Sequence, residues 1–317
     1  LDLPYDHARS IEQSYTGKSV SVEVPEELRQ EIQELSQTTG STDFMILLAA
    51  FNVLLHKYSR QEDIVVGSPI SGRTHKDTEN MLGMFVNTLA MRAYPERSKT
   101  FNELLSEVKD TALKAYDNQE YPLEDLVDEV VETRDLTRNP LFDVLFTLQN
   151  NETESLQIED WSIEQKEPST TNAKFDLSMT IFDDDGYKIS LEFAEELFNQ
   201  ETIARMLDHY LEILKHSVQQ PEQKISDLQM ITKEEEATIF NEFNDTAVPF
   251  NNNKTFVEIF EAQVAKTPNE IALTYEGESL TYATLNARAN QLANYLRIEG
   301  VQPNTLVGLM TNRRLEM

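Results

Sequence analysis

The chemistry open to this chain is narrow, because its 317 residues include five histidines and no cysteine. A thiolate nucleophile, a disulfide and a thiolate zinc site are excluded. His7 falls in an entry loop, His75 in a polar loop, and His56, His209 and His216 on helical stretches among surface-type residues. No pair of histidines stands at i, i+4, and none has companions at convincing metal-site spacing. Asp183 to Asp185 precede Gly186 as a hairpin turn would, without the spaced oxygens of a calcium loop. Glu234 to Glu236 read as solvated helix surface. No nucleophile elbow, phosphate loop, dinucleotide fingerprint or His-Glu-x-x-His occurs, so no catalytic residue and no metal ligand is assigned.

Three polar clusters set among apolar residues carry more information. In GMFVNTLAMR, Gly83 to Arg92, strand alternation places Phe85, Asn87 and Leu89 on one face and Val86 and Thr88 on the other. An amide on a strand can donate to a substrate carbonyl, or can be satisfied by nearby backbone; the residues leave both open. In NQEYPLED, Pro122 starts a helix with Glu124 and Asp125 in its first turn. In RDLTRNPLF, Arg134, Asp135 and Arg138 precede Pro140 and a strand, and an internal ion pair fixing the loop is the simpler account.

Strands and helices must hold these clusters, and the class they imply is α/β or α+β, with α/β taken as the expectation. Strands are expected at Val20–Val24, Asp63–Ile70, Phe85–Ala93, Phe142–Leu148, Leu156–Ile163, Lys174–Ile181 and Tyr187–Phe193. Helices are expected from Pro25 to Gln37, burying Leu28, Ile32 and Leu35, and from Thr42 to Tyr58, apolar on most sides and so central. Further helices follow at Phe101–Tyr116, Leu123–Val131 and Glu201–Ser217. From about Met230 to Lys254 the texture turns acidic and Asn-rich, a partly helical linker. A new unit then begins: helix Phe256–Ala265, strand Ile271–Tyr275, helix Tyr282–Ile298 and a strand at Thr305–Met310.

Composition removes other classes. Asp and Glu number 56 against 27 Lys and Arg, a net charge of −29 that repels phosphate backbones and anionic lipid surfaces. Nucleic-acid and membrane partners are not expected. There is neither an 18-residue apolar run nor a signal-peptide pattern, and the expectation is a cytoplasmic protein. Leu1 in place of Met, and a stop just after an apolar run, read as cut ends.

Taken in order, the clusters resemble the later motifs of condensation domains in nonribosomal peptide synthetases. The pattern GxFVNT with a following Arg is met at Gly83, Phe85, Val86, Asn87, Thr88 and Arg92. (H/N)QDYPFE is met at Asn118, Gln119, Tyr121, Pro122 and Glu124, with Glu120 for Asp and Leu123 for Phe. RDxSRNPLF is met at Arg134, Asp135, Arg138, Asn139, Pro140, Leu141 and Phe142, with Thr137 for Ser. Farther on, Leu280, Thr281, Tyr282 and Leu285 resemble the first adenylation-domain motif, LTYxEL, with Thr284 for Glu, and Arg313 to Met317 resemble RSxEM.

The resemblance implies the C-terminal lobe of a chloramphenicol-acetyltransferase-like condensation domain over 1–230, a linker over 231–253 and the start of an α/β adenylate-forming domain over 254–317. It implies that the catalytic HHxxxDG lies upstream, in a missing N-terminal lobe, and that Asn87, with Phe85 and Thr88, lines the substrate tunnel. Gly83, Arg92, Tyr121, Pro122, Arg134, Asp135, Arg138, Asn139 and Pro140 would be architectural, and a latch would fall within Trp161 to Glu195. Implied partners are peptidyl carrier domains bearing 4'-phosphopantetheine, the missing lobe and the rest of the adenylation domain. ATP and Mg would serve the complete adenylation domain, with no cofactor held by residues of this chain. The intact protein would join carrier-tethered acyl groups through an amide. A heterocyclising relative or a non-catalytic scaffold docking carrier proteins are the alternatives.

Overall fold

The computed structural model describes residues 1–10, 14–78, 81–132, 135, 137–149, 171–184, 186–249, 253–311 and 314–315. Two compact units are present, Leu1–Phe243 and Asn244–Met317. The strand expected at Leu156–Ile163, Arg134 and the first part of the expected latch lie outside the described residues.

In the first unit, β1 (Thr16–Glu23) leads into α1 (Glu26–Thr39), where Leu28, Ile32 and Leu35 recur at helical spacing and are buried together. Gly40, at φ 61°, ends that helix in the left-handed conformation glycine favours. α2 (Asp43–Ser59) follows, its N-cap Thr42 accepting a hydrogen bond from the Met45 amide at 3.3 Å. Every residue from Met45 to His56 is buried, so the helix apolar on most sides is the central one. Phe51 of α2 meets Phe146 at 5.6 Å and Tyr210 at 6.2 Å between ring centroids.

The strands β2 (Ile64–Ile70), β3 (Asn87–Ala93), β4 (Val144–Gln149), β5 (Thr171–Asn172), β6 (Leu177–Asp183) and β7 (Tyr187–Ala194) join β1 in a seven-stranded sheet, ordered β3-β2-β4-β6-β7-β1-β5. Alternating buried and half-buried residues along β6 and β7 show one face turned to the core. α2 packs against α1, α3 (Phe101–Asp117) and α5 (Gln200–Gln219). α4 (Leu123–Val130) begins after Pro122, with Glu124 and Asp125 in its first turn. A short α6 (Lys233–Ala237) continues into a π-helical turn, Thr238–Glu242.

Register decides which clusters meet. β2 runs parallel to β4, Gly67 opposite Leu145, and antiparallel to β3, Ile70 opposite Asn87. The start of β3 therefore lies at the same sheet end as the C-terminal ends of β2 and β4. Arg92, late in β3, and residues 137–142, before β4, lie at the other end. β3 begins at Asn87 instead of Phe85, because β2 ends at Ile70 and Gly72, at φ 63°, turns the chain away, leaving no partner for a longer ladder.

In the second unit, α7 (Phe256–Lys266) starts at a capping box between Thr255 and Glu258. The hairpin of β8 (Ile271–Tyr275) and β9 (Glu278–Thr281) turns through Glu276 and Gly277, both at positive φ, and α8 (Tyr282–Ile298) follows. The strand expected at Thr305–Met310 does not form. No described strand offers it a ladder, and Leu306 and Met310 stand 98% and 100% exposed. Among the described residues, no single helix is long and apolar enough to cross a membrane.

Candidate functional site

The sheet end where β2 stops and β3 starts gathers two of the three clusters. Asn87 sits at the join. Its Nδ2 donates to the carbonyls of Gln119 at 2.9 Å and Tyr121 at 2.8 Å, while its Oδ1 accepts from the Thr88 amide at 2.9 Å. This pattern fixes the amide orientation, since the flipped rotamer would set oxygen against two carbonyl oxygens. Both N–H groups are occupied by backbone, which is the second of the two readings the sequence leaves open: Asn87 is a strut tying the turn before α4 to the sheet. The Tyr121 ring remains exposed.

Above that strut lies the 71–86 loop. The Arg73 guanidinium stands 4.4 Å from the Phe85 ring centroid and also donates to the Thr78 carbonyl. The Phe85 carbonyl comes so near Gly72 that a Cβ there would approach it to 1.8 Å, a contact only glycine permits. Thr74 donates to Glu120 at 3.3 Å, a second tie between loop and turn. His75 is exposed and faces Asp77 at 3.5 Å. Leu82, Met84 and Val86 present apolar side chains to the surface. The loop is thus anchored at its base and apolar at its crest.

The third cluster belongs to the opposite end. Asp135 accepts from the Thr137 amide at 2.9 Å and hydroxyl at 2.7 Å, which hold its carboxyl below the usual range. Arg138 instead reaches Asp2 at 3.0 Å and Asp143 at 3.6 Å. Of the ion pair expected within this loop, Arg138 takes no part with Asp135: it binds the N-terminal segment to β4, and the Arg134 alternative lies outside the described residues. Asn139 donates to the Lys174 carbonyl at 3.0 Å, and Pro140 is exposed. Phe142 lies over Gly67 of β2, where an added Cβ would come within 2.2 Å of its ring. Arg92 makes a bidentate pair with Asp63, at 2.8 and 2.7 Å, which lowers the Asp63 carboxyl. Leu1, Asp63, Arg92 and Phe142 border a cleft of about 160 Å³ here.

Charged groups at this end went unseen in the sequence. Asp176, nearly buried, accepts from Tyr5 at 2.8 Å and pairs with Arg9. Arg9 also donates to the Thr137 carbonyl at 3.1 Å. Burial first, then the Asp176 charge, pushes the Tyr5 hydroxyl up to about 12. Burial and the same carboxylate raise Asp143. A second network corrects the surface placement of two histidines: His56 and His209 are buried, and His209 lies between Tyr58 and Glu235. Neither network has a local signature, because its members come from distant parts of the chain.

In the second unit, Leu280 is buried and Tyr282 meets Phe260 at 6.2 Å between centroids. Thr281 is the N-cap of α8, accepting from the Thr284 amide at 3.2 Å, while Leu285 is half-buried. The LTYxEL pattern thus occupies a capping-box position; Thr284 supplies a hydroxyl, 3.0 Å from that of Thr281, where Glu would reach back to the cap.

Known proteins give this geometry its context. A family model described as Condensation domain matches residues 1–240, and one described as AMP-binding enzyme matches residues 260–317. The chain is 45% identical over 320 residues to Gramicidin S synthase 2 of Brevibacillus brevis, covering all of this chain and 7% of that protein. It is 46% identical over 314 residues to Tyrocidine synthase 3 of Brevibacillus parabrevis, covering 99% of this chain and 5% of the relative. A four-domain nonribosomal peptide synthetase solved with AMP and glycine superposes with TM-score 0.82 at 22% identity, over 95% of this chain and 24% of the other. The condensation domain of the Monacolin K polyketide synthase gives 0.61 at 24% identity, over 71% of this chain and 52% of its own.

Proposed function

With residues 1–240 the chain belongs to the condensation domain family, and from this premise we propose that it is the C-terminal lobe of an amide-forming condensation domain, followed by the start of an adenylation domain. One observation carries the reading: a condensation match is followed in the same chain by an AMP-binding match, in the order of a synthetase module. The boundaries are proposed as 1–230, 231–253 and 254–317.

In the proposed reaction the acceptor amine attacks the donor thioester carbonyl. A C–N bond forms, the C–S bond breaks, the thiol leaves on its phosphopantetheine arm, and a base takes the amine proton. The chain contains no adjacent histidine pair, and the base is proposed to come from HHxxxDG in sequence beyond it. What this lobe contributes is a wall. Asn87 holds the Gln119–Tyr121 turn against β3, and Phe85, Thr88 and the apolar loop crest above it border the path of the tethered acyl groups. The partners are peptidyl carrier domains, the N-terminal lobe and the remainder of the adenylation domain, in the cytoplasm.

Among the described residues none is assigned to the nucleotide chemistry of an adenylation domain. Among the described residues no three His, Asp or Glu side chains converge on a metal position. Gly277 and Gly300 serve a hairpin turn and a helix end instead of a phosphate loop.

The test uses the full-length synthetase and mass spectrometry of its carrier-bound products. Replacing the second histidine of the upstream motif should abolish the carrier-bound dipeptide while aminoacyl loading continues. Unchanged dipeptide, or an upstream frame without such a motif, would overturn the reading in favour of a docking scaffold.

A further inference from the structure

His209 occupies a position that core packing alone does not explain. It is 5% exposed on α5, yet each ring nitrogen reaches a different element. Nδ1 lies 2.7 Å from the Tyr58 hydroxyl of α2, and Nε2 lies 2.8 Å from Oε2 of Glu235 on α6. With the proton on Nε2, the imidazole donates to Glu235 and accepts from Tyr58. Burial pushes the Tyr58 hydroxyl up to about 12, with the charge of Arg205 nearby acting against it. The Glu235 oxygen that meets His209 also accepts from the Thr232 amide at 3.0 Å, closing the capping box that starts α6.

Burial contributes little to holding α6. Leu228 is still buried in the core, but α6 and the π-helical turn after it bury no side chain. Phe240 and Phe243 are 65% and 72% exposed. The usual anchor of a surface helix, an apolar stripe against the core, is missing. A charge-assisted hydrogen bond stands in its place. It is reversible in kind, since the Glu235 side chain is 28% exposed and water can replace either partner.

We propose that residues 231–243 form a detachable strap, seated on the first unit by the Tyr58–His209–Glu235 hydrogen-bond chain, whose release adds the strap's own length to the connection with the second unit. From 231 to the α7 N-cap at Thr255 the chain is about twice as long as from 244, and at roughly 3.5 Å per extended residue the reach grows in proportion. The seat thus sets the length of chain free to act as the connection. This inference concerns the chain as it stands and does not depend on the peptide-forming activity.

The experiment is hydrogen exchange by mass spectrometry on the whole chain. His209→Gln leaves the Thr232 capping box intact, so it reads the seat separately from the helix; exchange across 233–243 should rise about tenfold while α2 and α5 stay protected. Tyr58→Phe, which removes only the hydroxyl, should raise it by less, and Glu234→Gln, on the neighbouring residue, should leave it unchanged. Should His209→Gln compromise folding, Tyr58→Phe combined with Glu235→Gln supplies the reading, because Gln keeps an oxygen for the Thr232 amide and removes only the charge. Unaltered exchange in the strap, or an equal rise throughout α5, would overturn the proposal. Dipeptide formation by the synthetase is read separately, so either reading can fail alone.

Discussion

Replacing Asn87 by alanine removes the two donated hydrogen bonds to Gln119 and Tyr121, at 2.9 and 2.8 Å. Each such bond contributes about 1 kcal/mol net, and the abandoned carbonyls lie near enough to the surface for water to reach them. The expected loss is about 1–2 kcal/mol, or about 3–6 °C in the melting of a unit this size. Asn87→Asp should behave differently, because an ionised carboxylate would face the same two carbonyl oxygens. That carboxyl would be raised above its unfolded value, so the folded state would favour its protonated form. Stability would be retained at acid pH and lost as pH rises through the raised value. Thermal melts of both variants across pH, with exchange at residues 118–121, supply the assay. The strut is refuted if Asn87→Ala melts with the wild type and those amides keep their protection, or if Asn87→Asp shows no added pH dependence.

Two further predictions follow from the opposite sheet end. Gly67→Ala should destabilise the first unit by about 1–3 kcal/mol in chemical denaturation, since its Cβ would lie within 2.2 Å of Phe142; adding Phe142→Leu should recover part of the loss. Asp143, raised by burial and by the Asp176 charge, favours the folded state while protonated, and that contribution disappears as pH rises above its ordinary value. Asp143→Asn should therefore gain on the wild type as pH rises above about 4 in melts, whereas parallel profiles would show that this carboxyl does not set the slope.

Much of this fold follows from local pattern. Leu28, Ile32 and Leu35 at helical spacing find the core face of α1, and the uninterrupted apolar run of α2 finds the central helix. Pro122 and its acidic successors mark the start of α4. Interactions set by register are different, because they depend on which distant strands pair. Arg138 bonds to Asp2, 136 positions away in the sequence, in preference to the nearby Asp135, because a side chain of that length reaches the N-terminal segment. His209 looks like a surface residue in a polar stretch until α6 folds back over it. The Thr305–Met310 run has strand composition but no described neighbour to pair with, and composition alone cannot supply hydrogen bonds.

The division of the clusters between two sheet ends bears on how their residues should be tested. Asn87, Gln119 and Tyr121 meet where β2 and β4 end, beside a loop whose crest is apolar and exposed. Asp135, Arg138, Asn139 and Phe142 meet where β4 begins, among buried charges and against Gly67. Changes at the first end act on a surface and should alter its shape with modest loss of stability. Changes at the second disturb ion pairs that include the buried carboxylates Asp143 and Asp176, where removing one partner strands the other. A loss of activity caused by Asn87→Ala in the full synthetase can therefore be assigned to the wall once melting shows the unit folded. A loss caused by Arg138→Met cannot be assigned that way, because the same substitution weakens the frame on which the wall is built.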